Sequence, residues 1–320
     1  MTAKSTTRES AAGSIGRFEA SLREGLFTVT AELTPPVSTD PEEFIRRALA
    51  LKGLAAAVNV TDGAAAKAHL SSLVAAHFLI QNGIEPILQM TCRDRNRISL
   101  QSDLLGAAAL GVRNILVLHG DDPKTGDQPD ARTVHDYDTR QMLATAHRIR
   151  LEHVLPSGAA VHGPFRLMLG AADTPVDPPK DWMPRRLMEK AAVGADFVQT
   201  QFCMDIRVAR RYAARLLDLG IAQKLPILIG VAPLPSARSA RWMRERLFGT
   251  LIPDELVRRL ERAADPKHEG RAICVELLQQ LAQTPGVAGA HVMAPQFFSA
   301  VPEVIAACGV AGKKQAALPR

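Results

Sequence analysis

Eight short apolar runs recur along the chain, and the spacing between them leaves room for a helix each time. The runs are FTVTAEL (27–33), AAVNVTD (56–62), EPILQMT (85–91), RNILVLHG (113–120), FRLMLGAA (165–172), DFVQTQF (196–202), LPILIGV (225–231) and VAGAHVM (287–293). Their Val, Ile and Leu content predicts strands buried on both faces. The intervening stretches carry helix signals. DPEEFIRRALALK opens with Asp40 as an N-cap and a proline in the first turn, and SLQSDLLGAAALG ends on a glycine suited to a C-cap. PRRLMEKAAVGA and DIRVARRYAARLLDLG repeat the pattern. No hairpin signal joins successive strands, and parallel neighbours need a crossover. Eight such units predict a (β/α)8 TIM barrel, with the longest inserts after the fourth and seventh strands.

A chain of 320 residues that is 47% hydrophobic can fill such a barrel as a single domain, expected over 18–310. The polar residues 1–17 and the basic residues 311–320 read as disordered tails. No apolar leader and no run of about 18 apolar residues is present, which predicts a cytoplasmic protein without membrane contact. The net charge of +6 comes from 39 basic and 33 acidic residues, with the basic ones gathered in helical stretches such as RVARRYAAR. With only 4% aromatic residues, these stretches read as solvated helix faces rather than a nucleic-acid surface. An anionic small molecule fits the excess. Cys92, Cys203, Cys274 and Cys308 lack the spacing of a disulfide framework or a zinc knuckle.

In a TIM barrel, chemistry sits where the C-terminal strand ends converge. Here those ends deliver Glu32, Thr61 with Asp62, Gln89 with Thr91, His119-Gly120-Asp121, Gly170 with Ala171, and Thr200 with Gln201. Any one of these is ordinary at a strand end. Jointly, two carboxylates with amides, hydroxyls and glycines suit a planar ligand rich in hydrogen-bonding groups. A metal site is disfavoured, because His119 is the one good soft ligand at the strand ends. No serine ends a strand in a nucleophile elbow, and neither a G-x-G-x-x-G nor a Walker phosphate loop occurs.

Several motifs resemble one family. AELTPP at the first strand, VNVTDGA at the second, TC at 91–92, VLHGDDP at the fourth, VGADFVQTQFCMD at the sixth and LIGVAPLPS at the seventh are similar to the methylenetetrahydrofolate reductases. The likeness runs from about Phe27 to Val310. It implies a barrel that binds FAD at its mouth, takes electrons from NADH or NADPH, and passes a hydride to the one-carbon unit of a tetrahydrofolate derivative. Glu32 matches the family's general acid, which must carry a proton to the departing N10. Asp121 matches an aspartate beside flavin and pterin. Thr61, Asp62, Gly63, Ala64, Gln89, His119, Gly120, Gly170, Ala171 and Lys190 fall at cofactor-contacting positions, with Lys190 as a phosphate partner. Gln201 and Phe297 fall at folate-contacting positions. The common bacterial pattern has histidine where Gln89 stands, arginine where His119 stands and tyrosine where Asp62 stands, so the chain resembles a divergent branch. Three readings stay open: a flavin-dependent reductase, a reductase using NAD(P)H directly, and a non-catalytic folate- or flavin-binding subunit. A homo-oligomer or an electron-donor protein is compatible with each.

Overall fold

In a computed structural model of the chain, described for residues 15–295 and 297–315, eight parallel strands close into a barrel in sequence order. They are β1 (Thr28–Leu33), β2 (Ala57–Val60), β3 (Pro86–Thr91), β4 (Asn114–Leu118), β5 (Met168–Asp173), β6 (Phe197–Phe202), β7 (Ile227–Val231) and β8 (Gly289–Val292). β8 pairs back onto β1, with Thr28 opposite Gly289 and Ala31 opposite Val292. The expected TIM barrel is the fold. Each strand lies within the run that predicted it, apart from β5, which continues one residue further to Asp173.

Helices cover the outside, among them Glu42–Leu49, Arg97–Ala109, Arg185–Ala192 and Ile206–Asp218 between strands. Asp205 caps the last of these by accepting the Arg207 and Val208 N–H groups. At Glu42–Leu49 the cap is displaced: Pro41 holds the N-cap position, and Asp40 Oδ1 accepts the Glu42 N–H from one residue further out. Gly111 follows Arg97–Ala109 at φ +85°, as the C-terminal glycine signal predicted.

Strand alternation divides the barrel wall into two faces. Along β1, Val29, Ala31 and Leu33 pack into the large core between sheet and helices, while Thr28, Thr30 and Glu32 point into the barrel. The lower interior is closed by a separate apolar cluster of Phe18, Ala57, Ile87, Leu116, Phe197 and Leu228. Phe18 comes from α1 (Arg17–Arg23), which plugs the N-terminal end, and its ring meets Phe197 edge-to-face at 4.9 Å. Glu85, just before β3, accepts the Arg17 and Phe18 N–H groups at 2.5 and 3.4 Å and so ties the helix down by its positive end.

Of the expected tails, residues 1–14 and 316–320 lie outside the described residues. Arg17 already belongs to the plug helix. Beyond 310, the Gly312 N–H donates to the Phe27 carbonyl and the Phe27 N–H to the Lys313 carbonyl, so the folded chain continues past that boundary.

All four cysteines are free and buried. Burial pushes the Cys92 thiol up to about 11 and the Cys203 thiol up to about 12. Two outcomes are expected. A thiol reagent such as dithionitrobenzoate at pH 8 should label none of the four until the protein is unfolded in denaturant; rapid labelling of the native protein would contradict their burial. Phe18→Ala should lower the unfolding free energy in urea by about 3–5 kcal/mol, whereas a loss below about 1 kcal/mol would show that α1 does not plug the barrel.

Candidate active site

Above the apolar plug the barrel interior turns polar. Asn59 of β2 and Gln199 of β6 face each other as a reciprocal amide pair: Asn59 Nδ2 donates to Gln199 Oε1 at 2.6 Å, and Gln199 Nε2 donates to Asn59 Oδ1 at 3.0 Å. Gln199 Nε2 also donates to Thr30 Oγ1 at 2.9 Å, and Thr30 Oγ1 lies 2.9 Å from His291 Nδ1. All four side chains are buried, and each finds a partner, as polar groups removed from water must. One step nearer the mouth stands Glu32. Its Oε2 accepts Gln89 Nε2–H at 2.9 Å and lies 3.6 Å from His291 Nε2. Glu32 and Gln89, both singled out from sequence, are thus brought into one contact. Asn59, Gln199, Thr30 and His291 were missed, although they stand two residues before mouth positions on the same inward face and period-two alternation was enough to find them.

The second expected carboxylate belongs to a different network, in the loops. Asp121 Oδ2 accepts the Ala65 N–H at 2.9 Å, across from the β2 loop to the β4 loop. In that β2 loop Gly63, Ala65 and Ala66 all adopt left-handed φ angles, a conformation that disfavours alanine by roughly 1 kcal/mol or more per residue. Buried Arg93, just past β3, holds both loops: its Nη1 donates to the Asp121 carbonyl at 3.1 Å and the Gly63 carbonyl at 3.4 Å. Gly120, at φ +96°, is required twice over, since a Cβ there would lie 2.7 Å from Arg93 Cβ. A Cβ at Gly63 would likewise strike the Arg93 guanidinium. Both glycines therefore make room for a side chain of the protein itself, and Arg93 is a mouth residue that strand-end reading passed over.

Other expected cofactor positions are placed differently. Asp62 is turned beneath the loops, where its Oδ2 accepts the Thr91 N–H at 2.8 Å, the Thr91 hydroxyl at 3.0 Å and the Arg95 guanidinium. Ser72 Oγ donates to its other oxygen. Its role is that of a fastener between β2 and β3. Gly170 lies deep in the wall, where a Cβ would come within 2.7 Å of Phe197 Cε2 and 2.8 Å of the Ile115 carbonyl, and Ala171 is buried on the helix side. Neither reaches the mouth, because β5 runs on to Asp173. Asp173 accepts the Tyr212 hydroxyl, and burial pushes its carboxyl above the usual range. Lys190 Nζ donates to the Ala172 carbonyl at 2.6 Å, and burial lowers its pKa, partly offset by Asp173. The lysine is folded onto the end of β5.

Thr61 is buried, and its Oγ1 has no partner among the described residues. The His119 ring stacks on His135 with centroids 4.2 Å apart. The two line a cleft of about 670 Å³ with Gly120, Asp121, Lys124 and Arg132. Burial, with the neighbouring His119, holds His135 below the usual histidine pKa. Gln201 Oε1 accepts the Phe202 N–H at 3.0 Å, at an irregularity in the β6–β7 register. Phe297 lies beyond β8 under the Arg271 guanidinium, which is 5.9 Å from its ring centroid. Ala64 sits in the strained β2 loop, and its carbonyl faces His69 Nε2 at 3.3 Å. Among the described residues, no group of three or more His, Cys, Asp or Glu gathers to hold a metal, and no helix is long and apolar enough to cross a membrane.

Residues 17–309 match the family profile of methylenetetrahydrofolate reductase. The chain belongs to that family. A Caenorhabditis elegans relative named probable methylenetetrahydrofolate reductase (NADPH) is 26% identical over 253 residues, 75% of this chain and 34% of its own length. Methylenetetrahydrofolate reductase 2 of Schizosaccharomyces pombe is 28% identical over 214 residues, 66% of this chain and 33% of its own. The chain thus spans about a third of the length of these curated relatives. A solved structure from Clostridium thermocellum, described as binding two copies of 5-methyl-5,6,7,8-tetrahydrofolic acid, shares the fold. Its TM-score is 0.59 at 14% identity, covering 90% of this chain and 96% of that one.

The two kinds of acidic residue at the mouth should separate in stability measurements. Asp62→Asn leaves the largely buried Arg95 without its main counter-charge and should cost about 3 kcal/mol in urea unfolding. Glu32→Gln keeps a polar partner for Gln89 and should stay within about 1 kcal/mol of the parent. Equal effects would refute the assignment of Asp62 as a fastener.

Proposed function

We propose that the chain interconverts 5,10-methylenetetrahydrofolate and 5-methyltetrahydrofolate by hydride transfer, with Glu32 as the general acid or base. The observation that carries this reading is the state of Glu32. Gln89 and His291 both face Oε2, and Oε1 has no partner among the described residues, leaving one oxygen for a ligand at the mouth. Membership of the reductase family, the names of the two relatives and the folate described in the Clostridium structure all support it.

In the reductive direction the methylene bridge opens when N10 takes a proton from Glu32 and the bond from N10 to the bridging carbon breaks. The carbon, left as an iminium on N5, then accepts a hydride and becomes a methyl group. Glu32 performs the proton step because its strand fixes it at the mouth and Gln89 fixes its carboxylate plane. Asp121, with one oxygen engaged by Ala65, keeps the other for a pterin N–H. The Gln201 amide nitrogen and the Phe297 ring are the further folate contacts.

The residues present fit a flavin dinucleotide at two points: the unpartnered Thr61 hydroxyl, and the cleft whose Lys124, Arg132 and histidines suit a pyrophosphate. When bound, FAD supplies a two-electron carrier between NADH or NADPH and the folate. A second reading, direct transfer from NAD(P)H, is favoured by the way Asp62 and Lys190 are engaged within the protein and Gly170 is buried in the wall.

The absorption spectrum of purified protein, with and without added FAD, separates the two: a flavin band retained through gel filtration is expected. Methylenetetrahydrofolate turnover by stringently flavin-free protein would instead establish direct transfer. Glu32→Gln should lower folate turnover by about 10²–10⁴-fold while leaving NAD(P)H oxidation by a quinone unchanged. Loss of neither, or absence of folate turnover in the parent protein, would overturn the proposed activity.

A further inference from the structure

The cleft beside His119 is lined entirely by the segment that follows β4, residues 119–135. Its fixed charges cancel: Lys124 and Arg132 bring two cations, and Asp121 and Asp122 bring two carboxylates. Behind it the Arg93 guanidinium is matched by Asp94, whose oxygens accept Nε–H and Nη2–H at 2.6 and 2.7 Å. The sign of the charge in the cleft is therefore decided by the two groups that remain, the imidazoles of His119 and His135.

His135 has a backbone φ of +41°, in the left-handed region. It is held there from both sides. The Val134 N–H donates to the Arg93 carbonyl at 2.7 Å, and the Asp136 carboxylate accepts the Arg97 N–H, Nε–H and Nη2–H at 2.9, 2.8 and 2.6 Å. A strained residue fixed by its neighbours in this way is characteristic of ligand clamps. Here it lays the two rings almost parallel, 10° apart in plane with centroids at 4.2 Å. Two imidazolium charges at that separation repel, so a second proton is much harder to add than the first. The geometry also decides which ring takes the first. His135 Nδ1 is enclosed and has no partner among the described residues, so as an imidazolium it would carry a hydrogen there that meets no acceptor. Burial, and then the neighbouring His119, hold that ring below the usual histidine pKa, against the pull of Asp94 and with a smaller push from Arg93. The His119 side is exposed, where a cation can be solvated.

We propose that this cleft is a proton-linked anion site: a phosphate or diphosphate group enters it together with one proton, which His119 carries while the neutral His135 ring supports it by stacking. With both rings neutral the lining has no net charge and offers an anion little. With His119 protonated it is net positive, and a bound anion in turn favours that state. Affinity then falls as pH rises through the imidazole range, by up to about 10-fold per pH unit for one linked proton. That the anion is the diphosphate of a dinucleotide rests on the proposed function; the proton linkage does not.

The probe is ADP-ribose, a diphosphate diester whose own charge is constant between pH 6 and 8. It is titrated calorimetrically into the full chain, free of folate, in two buffers of different ionisation enthalpy. Uptake of about 0.5–1 proton per ligand is expected at pH 7, with Kd rising about 3–10-fold per pH unit. His119→Arg, a fixed cation at an exposed position, should bind as the parent does at pH 6, with neither proton uptake nor pH dependence. His119→Gln should bind throughout as weakly as the parent does at pH 8. His135→Asn, which suits a left-handed backbone, should keep the uptake. No binding of ADP-ribose to the parent, binding without proton uptake, uptake that survives His119→Gln, or uptake lost in His135→Asn would overturn the proposal. FAD in the same titration separates the two readings. FAD bound with no proton uptake keeps the flavin and ends the linkage, whereas ADP-ribose taken up with a proton by a chain that does not bind FAD ends the flavin reading and not the linkage.

Discussion

Closing a parallel sheet on itself leaves every second residue of every strand inside a wall from which water is excluded, and this protein places amides, hydroxyls and an imidazole there. Such groups are tolerated only when paired, since each unpaired one costs about 1–3 kcal/mol. The pairing of Asn59, Gln199, Thr30 and His291 is therefore a condition for the barrel to close as well as a property of the site. Glu32 stands at the top of that set. Its Oε2 accepts from Gln89 and faces His291, so its position follows from the buried groups around it, which is the preorganisation that the proposed proton step calls for.

The loops above are secured by a different device. Asp62, Arg95 and Thr91 bind the ends of β2 and β3 together, and Arg93 reaches under the two loops that carry Gly63 and Asp121. Two left-handed alanines in the β2 loop, Ala65 and Ala66, persist against their intrinsic preference because Asp121 and Arg93 hold the backbone on both sides. The family pattern to which the chain is similar has an arginine where His119 stands. Here a buried guanidinium from the end of β3 contacts the β4 loop from below, with its charge matched by Asp94, whose two oxygens accept from Nε and Nη2 at 2.6 and 2.7 Å.

How far the fold could be read in advance follows from the kind of signal each feature leaves. Parallel strands buried on both faces appear as continuous apolar runs, so all eight were found; β5 was cut short because Asp173 is acidic, and that one residue moved the apparent strand end onto Gly170 and Ala171. Glu32 and Gln89 were legible because a polar residue ending an apolar strand stands out. His291, Gln199 and Asn59 were not, because a polar residue in mid-strand resembles a break in the apolar run unless the barrel is assumed and its inward column followed. Asp62 shows the converse limit. A carboxylate at a strand end serves a ligand or a neighbouring arginine equally well, and only the placement of Arg95 decides between them.

The plug and the polar chain together have a consequence for proton traffic. Beneath Asn59 and Gln199 lies the cluster of Phe18, Ile87, Leu116, Phe197 and Leu228, with α1 sealing the end of the barrel. At the level of that cluster Thr28 also points inward, but its hydroxyl is engaged downward, with Ser21 Oγ of α1 at 2.8 Å and the Leu26 carbonyl. The chain from Asn59 to His291 is engaged upward, towards Glu32. If Glu32 acts as the proposed acid, the groups beneath it are already committed to one another, and the oxygen that no described residue engages is the one open to the mouth.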